Sequence, residues 1–356
     1  MEISELFGFD TQSNASVNDH QPFTEAEFDI VITTFTSDLE AVAPDLKSKG
    51  LAHKYSTSLF NKLNARGTSS IKELRELGSE EYFQIGRRVL GPLAVSFVHT
   101  ALKHSDGIVI FPARDATPLY CIAKTLTQLN PTSYQVPSKN ILNPVFNRKL
   151  WGVEDEQDLE NNVLPLTHPL VQRLLSQLGF GTPLAKNFIE IGCWGTMVDQ
   201  LKRTMPNEHY SVRFLFSHMP DKIYGFINSH GRNIPNSLLE TFADTWEAFP
   251  KFYKRPTVLL EQDENIVASL DGKLVHSPFL QVWTNAALRG VIAAAEDFIN
   301  SGEQINVYDE LIKLGDLSEK ARSGTFTGVL PEHTETWSEG PQWIANWPWG
   351  KIPPLQ

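Results

Sequence analysis

A chain of 356 residues, 41% hydrophobic and 21% charged, is long enough for one large α/β domain with appended segments, and its composition excludes a largely disordered chain, a collagen-like repeat and a coiled coil. The formal net charge of −11, from 31 basic and 42 acidic residues, repels nucleic acid and anionic lipid, so neither partner is expected and any phosphate site must be local. Two cysteines, Cys121 and Cys193, are too few for a disulfide framework or a zinc site, and the first segment, MEISELFGFD, lacks the basic start and apolar run of a signal peptide, so the expected setting is cytoplasmic.

Residues 1–22 are polar and read as a disordered tail. Residues 23–104 read as a helical region packed on the core. Thr24 with Glu27 three residues on resembles a capping box, and Phe28, Val31, Ile32 and Phe35 follow at helical spacing. A second helix is expected over KYSTSLFNKLNA and a third from Glu80 to Leu102, bent at Gly91-Pro92, where proline removes a donor. Residues 105–235 read as a parallel α/β core that carries the candidate site. Gly107 to Phe111 fits a strand buried on both faces, followed by the loop PARDATP and the helix LYCIAKTLTQL. Residues 130–168 are irregular, and HPLVQRLLSQLGFG is a helix that Gly179 would stop. Asn187 to Ile191 is the next strand, GCWGT its turn and MVDQLKRTM the following helix; Ser211 to Ser217 is a third strand, with Tyr224 to Ile227 extending the sheet. Strand–loop–helix units in series predict a Rossmann-like parallel sheet with helices on both faces. Residues 236–333 are expected to return to helix, notably from Trp283 to Phe298, and 334–356 form a Trp-rich tail with Trp337, Trp343, Trp347 and Trp349, which could be an interface for a protein partner.

In parallel α/β sheets ligands sit beyond the carboxyl ends of the strands, and two strand ends here carry unusual residues. After the first, Arg114 and Asp115 follow a buried run directly. Arg114 can grip a phosphate or carboxylate in a bidentate fork. Asp115 could orient Arg114, bind Mg²⁺ or act as a general base; a structural ion pair that fixes the loop is the plainer alternative. After the second comes Glu190-Ile191-Gly192-Cys193-Trp194-Gly195-Thr196. Its glycines allow a sharp turn and close approach to a ligand, and the next helix would aim free N–H groups there, with the Thr196 hydroxyl beside them. Glu190 could accept sugar hydroxyls or bind a metal. Arg148, between the two loops in sequence, could add positive charge. Gly192 adjoins Cys193, which is the wrong spacing for a nucleophile elbow, and no His-x-x-x-His pair supports a zinc hydrolase.

The order LGPLAVSFVHTAL, GIVIFPARDATPLYCIAKTL, FNRKLWG, FIEIGCWGTMVDQL and SLLETF resembles the C-terminal region of large bacterial proteins identified as predicted haloacid-dehalogenase-like hydrolases and linked to surface polysaccharide synthesis. The matching positions are Gly91, Pro92, Ala113, Arg114, Asp115, Arg148, Ile191, Gly192, Gly195, Thr196 and Glu240, within roughly residues 80–300. Ala116 stands where that family has glycine and Glu190 where it has aspartate. The nucleophilic Asp-x-Asp of the family's hydrolase half has no counterpart here, so phosphatase activity is not implied. The two loops are also similar to those of type I phosphoribosyltransferases. That resemblance implies a phosphoribosyltransferase-like fold, pyrophosphate at 113–116 and a sugar phosphate at 190–196, although Glu190 is one acid where two adjacent acids are usual.

The expectation is therefore an enzyme, a transferase rather than a hydrolase, acting on a small phosphorylated sugar or nucleotide. Asp115 and Glu190 would be the catalytic and Mg²⁺-binding residues, and Arg114, Arg148, Gly192, Gly195 and Thr196 would bind substrate. The alternative is a non-catalytic nucleotide-sensing or scaffold partner of a biosynthetic assembly.

Overall fold

A computed structural model of the chain describes residues 24–42, 52–65, 67, 70–112, 115–144, 167–192, 198, 201–202, 205–217, 224–228, 243, 246, 258–262, 265–269 and 278–322. The chain divides into two compact units, one of residues 1–93, 240–253 and 274–354, the other of residues 94–239, 254–273 and 355–356. The expected tails at 1–22 and 334–356 lie outside the described residues. Among the described residues no helix is long and apolar enough to cross a membrane.

The first unit is helical. In α1 (Glu25–Val42) the capping box forms: Thr24 N donates to Glu27 Oε2 at 2.7 Å and Glu27 N donates to Thr24 Oγ1 at 3.3 Å. α2 (Ala52–Asn64) follows. α3 (Ile71–Ile85) starts nine residues earlier than the sequence suggested, because Ser70 accepts the Glu73 N–H and caps it. Between α3 and α4 (Gly91–Lys103) lies a π-helical stretch, Gly86–Leu90; the opening segment of the first unit ends at Leu93, so α4 from Ala94 on belongs to the second unit. The expected bend at Gly91-Pro92 takes this form: the Gly91 N–H reaches back five residues to Gly86 O, and Pro92 has no N–H to continue the ladder. The unit's later helices are α7 (Pro278–Ser301) and α8 (Val307–Arg322). Trp283 of α7 is fully buried, stacks on Tyr82 at 5.5 Å between centroids, meets Phe35 and Phe60, and donates to Arg75 O at 2.9 Å. Gly290 is required here, since a Cβ would stand 2.1 Å from Phe83 O.

The second unit is built on five parallel strands: β1 (Ile108–Ile110), β2 (Ile141–Leu142), β3 (Lys186–Glu190), β4 (Tyr210–Ser217) and β5 (Tyr224–Asn228). Their spatial order is 2-1-3-4-5. The register pairs Ile110 with Leu142 and with Phe188, and Glu190 with Phe214. Paired residues of a parallel sheet face the same side. Ile108, Ile110, Phe188, Val212 and Phe214 accordingly pack in one cluster with Val171, Leu174 and Leu175 of α6 (Pro169–Gln177) and with Val198 and Leu201 of the next connection. On the other face Phe111 meets Tyr120 of α5 (Thr117–Leu129), and Phe226 meets Phe97 of α4 at 5.5 Å between centroids. Both faces are thus covered, as continuous apolar strands require. The expected α/β class with a parallel sheet and flanking helices is present.

Two expectations change. The stretch 236–333 was expected to be helical, yet Val258–Gln262 (β6) and Asn265–Ser269 (β7) pair as an antiparallel hairpin and belong to the second unit. The hairpin is held by tertiary contacts: Ile266 enters the sheet's apolar cluster, Gln177 bonds both Asn265 and the Ile266 N–H, and Arg173 pairs with Glu261 at 2.8 Å. The irregular stretch 130–168 contains β2, only two residues long and therefore invisible to periodicity.

The amino edge of the sheet is closed by polar side chains. Lys186 is completely buried, donates to Thr182 O at 2.8 Å and Leu184 O at 2.6 Å, and forms an ion pair with the Glu208 carboxylate at 2.7 Å. The other Glu208 oxygen accepts the Gly181 N–H. Asn187 donates to Asp106 O and Ile108 O, and Arg213 donates to Ser105 Oγ, Asn187 Oδ1 and His104 O.

Candidate functional site

The strand order reverses direction between β1 and β3. From β1 the chain moves outward to β2, then returns past β1 to place β3 on the other side. The connections after β1 and β3 therefore leave in opposite directions, and the carboxyl edge at such a switch point is where open α/β sheets generally hold ligands. The two loops singled out by sequence, 113–116 and 190–196, lie at the ends of these two strands.

Asp115 and Glu190 are brought together there. Glu190 is the last residue of β3 and Asp115 lies in the turn before α5. Both are half-buried as residues. Glu190 Oε1 is shut off from solvent and accepts no hydrogen bond among the described residues. Burial, and then the nearby Asp115 charge, push the Glu190 carboxyl up to about 8. The buried Glu190 oxygen beside the Asp115 charge is a place where a cation or a donor-rich ligand would favour the ionised form of Glu190.

The backbone around them is fixed. Phe216 N donates to Ile191 O at 2.8 Å, which carries the β3–β4 ladder one residue past Glu190. Gly192 then turns away with φ +153°, and a Cβ there would stand 2.3 Å from Phe216 O, so only glycine fits. On the β1 side the Ala116 N–H closes the turn onto Pro112 O at 3.2 Å, and α5 begins with no side-chain cap.

Asp115, Glu190 and Gly192 thus stand at one edge of one sheet. Arg114, Arg148, Gly195 and Thr196, with Ala113, Cys193 and Glu240, lie outside the described residues. Sequence reasoning missed Asn143, whose side chain donates to Phe111 O at 2.8 Å and meets Thr117 Oγ1 at 3.4 Å, beside the Asp115 turn. The signal available was an asparagine before proline just after a short apolar pair, which is too weak to raise without β2.

Among the described residues no three His, Cys, Asp or Glu side chains converge on a point that could cage a metal. The donor set suits Mg²⁺ in its usual manner, which takes one or two carboxylates and completes its octahedron with water and ligand phosphates. The bare Glu190 oxygen is the observation that fits it. No protein-family model matches the chain, and no curated protein sequence matches it.

Proposed function

We propose that the crevice between β1 and β3 binds a small phosphorylated sugar or nucleotide together with Mg²⁺, on a Rossmann-like sheet of phosphoribosyltransferase-like type, and that the protein is a transferase acting on that ligand. The observation that carries this reading is the bare, buried oxygen of Glu190 facing the Asp115 charge at the switch point of the strand order. When bound, Mg²⁺ would neutralise ligand phosphate oxygens and orient them. Glu190 and Asp115 would hold the cation. A carboxylate oxygen of either residue not bound to it could hold a ligand hydroxyl or take its proton. The turn at Gly192 would leave room for a phosphate against the backbone, with Gly195 and Thr196 beyond it. Arg114 and Arg148 would neutralise the leaving phosphate or pyrophosphate.

The test is a thermal-shift series with sugar phosphates, nucleotides and pyrophosphate, with and without Mg²⁺. A ligand that binds only the native state raises stability by about 2.7 kcal/mol at one hundred times its Kd. The expected result is a shift that needs both Mg²⁺ and a phosphorylated ligand and disappears in Arg114→Ala and in Glu190→Gln. Equal shifts in the two variants would reject this assignment of the site.

A further inference from the structure

Asn143 sits where a backbone donor is missing. Phe111, the residue after β1, donates its N–H to Leu142 O at 2.9 Å, so the β1–β2 ladder runs on past the strands. In a parallel ladder the carbonyl of that same residue accepts the N–H two positions beyond its partner's carbonyl. That position is Pro144, which has no N–H. The Asn143 side chain takes its place, with Nδ2 donating to Phe111 O at 2.8 Å. The same carboxamide meets Thr117 Oγ1 at 3.4 Å, both as donor and as acceptor. Phe111 is the last residue before the turn 112–116 and Thr117 the first residue of α5 after it. One side chain, itself anchored by the β2–β1 register, therefore spans the two ends of the turn that carries Asp115. Neither alanine nor aspartate could do this: the first has no donor, and an ionised carboxylate would face the Phe111 carbonyl.

We propose that Asn143 is a positioning residue for the site: by tying Phe111 to Thr117 across the turn it sets where the Asp115 carboxylate stands relative to Glu190. The inference rests on the reading of Asp115 and Glu190 as cation ligands and adds the residue that acts through one of them.

The experiment is calorimetric titration of the full chain with Mn²⁺, an oxygen-seeking stand-in for Mg²⁺. Loss of an outer partner of a metal ligand typically weakens metal affinity by about 10–100-fold. Asn143→Ala is expected to raise the Mn²⁺ Kd by about tenfold, at the low end of that range. Asp115→Asn should raise it at least as much. In the double variant Asn143→Ala should add nothing to Asp115→Asn, because its effect passes through that carboxylate; a merely structural loss would not be cancelled in this way. Thr117→Val keeps the bond to Phe111 and removes only the far arm, so it should shift the Kd in the same direction by less. Should Asn143→Ala fail to fold, Thr117→Val carries the test, and native affinity in it overturns the proposal. Native affinity in Asn143→Ala beside weakened affinity in Asp115→Asn overturns the positioning role and leaves the site standing. Mn²⁺ binding that is absent, or indifferent to both Asp115→Asn and Glu190→Gln, removes the site and the role of Asn143 with it.

Discussion

The two edges of the parallel sheet both bury charge, and they treat it in opposite ways. At the amino edge Lys186 finds two carbonyl acceptors and the opposite charge of Glu208, and Asn187 and Arg213 find acceptors. At the carboxyl edge burial and the nearby Asp115 charge hold Glu190 in its protonated form up to about pH 8, and a Glu190 oxygen has no hydrogen-bond partner among the described residues. Burying an ion costs several kcal/mol unless the fold compensates it. The amino edge is compensated from within the chain and so serves stability. At the carboxyl edge the described residues give the Glu190 Oε1 oxygen no such partner.

The largest effect should come from breaking the compensated edge. Lys186→Met leaves Glu208 facing the Gly181 amide with no cation, and losing one member of a buried pair costs about 3–5 kcal/mol. Urea unfolding should show that loss, and Lys186→Met with Glu208→Gln should recover most of it. A single variant as stable as the parent would mean the amino edge is no clamp.

Next in size is Gly192→Ala. The added Cβ meets Phe216 O, which cannot retreat because Phe216 N holds Ile191 O. A residue forced into such a conformation costs about 1–3 kcal/mol. The variant should unfold at lower urea and lose any Mg²⁺-dependent ligand shift, since the turn beyond Glu190 must move. Stability lost with ligand binding intact would separate Gly192 from the site.

Glu190→Gln should do the reverse and stabilise. The carboxyl is held at about 8 in the folded chain against 4.5 in the unfolded one, so the unfolded state releases its proton first as pH rises. Stability is therefore full below about 4.5 and lost as pH climbs toward 8, with a limiting slope of about 1.4 kcal/mol per pH unit. Glutamine removes that slope. Urea midpoints at pH 6 and pH 8 should converge in the variant and differ in the parent; saturating Mg²⁺ with a bound ligand should narrow the parent's difference too, by favouring the ionised form.

The same contrast explains what the sequence could reveal. β1, β3 and β4 were legible as apolar runs, and the loops after β1 and β3 because charged or glycine-rich residues followed those runs directly. That both loops stand at one edge followed from expecting a parallel sheet; that β1 and β3 are neighbours flanking the switch point was not legible. It depends on β2, whose two residues carry no period, and only β2 makes the order 2-1-3-4-5. The amino-edge clamp was equally hidden: nothing in the sequence pairs Lys186 with Glu208, which lies just before the next strand, until the fold brings them together. The hairpin Val258–Gln262 and Asn265–Ser269 has little pattern of its own and is held by Gln177 and Arg173. Local signals mark where a chain changes direction, whereas the pairing of distant polar groups is decided by topology.

The smallest expected effect tests whether the amino half, too, titrates against stability. His99 lies one turn before the end of α4, which leads into β1, and its Nδ1 meets the Tyr134 hydroxyl at 2.7 Å. Burial, and then Lys103, hold its pKa down at about 4 against 6.5 when unfolded. A base depressed in this way binds its proton later in the folded state, so stability is full above about 6.5 and falls as pH drops toward 4. The ring is about half exposed to water, and solvent screening limits the loss to less than about 1 kcal/mol. His99→Gln should flatten the acid limb between pH 6.5 and pH 4 and leave the alkaline limb as it was, whereas Glu190→Gln should flatten only the alkaline limb. Two limbs of opposite sign, each removed by one substitution on its own side of the sheet, would tie the pH profile to this division of the fold; a single substitution that moved both limbs would show that the two edges are electrostatically one.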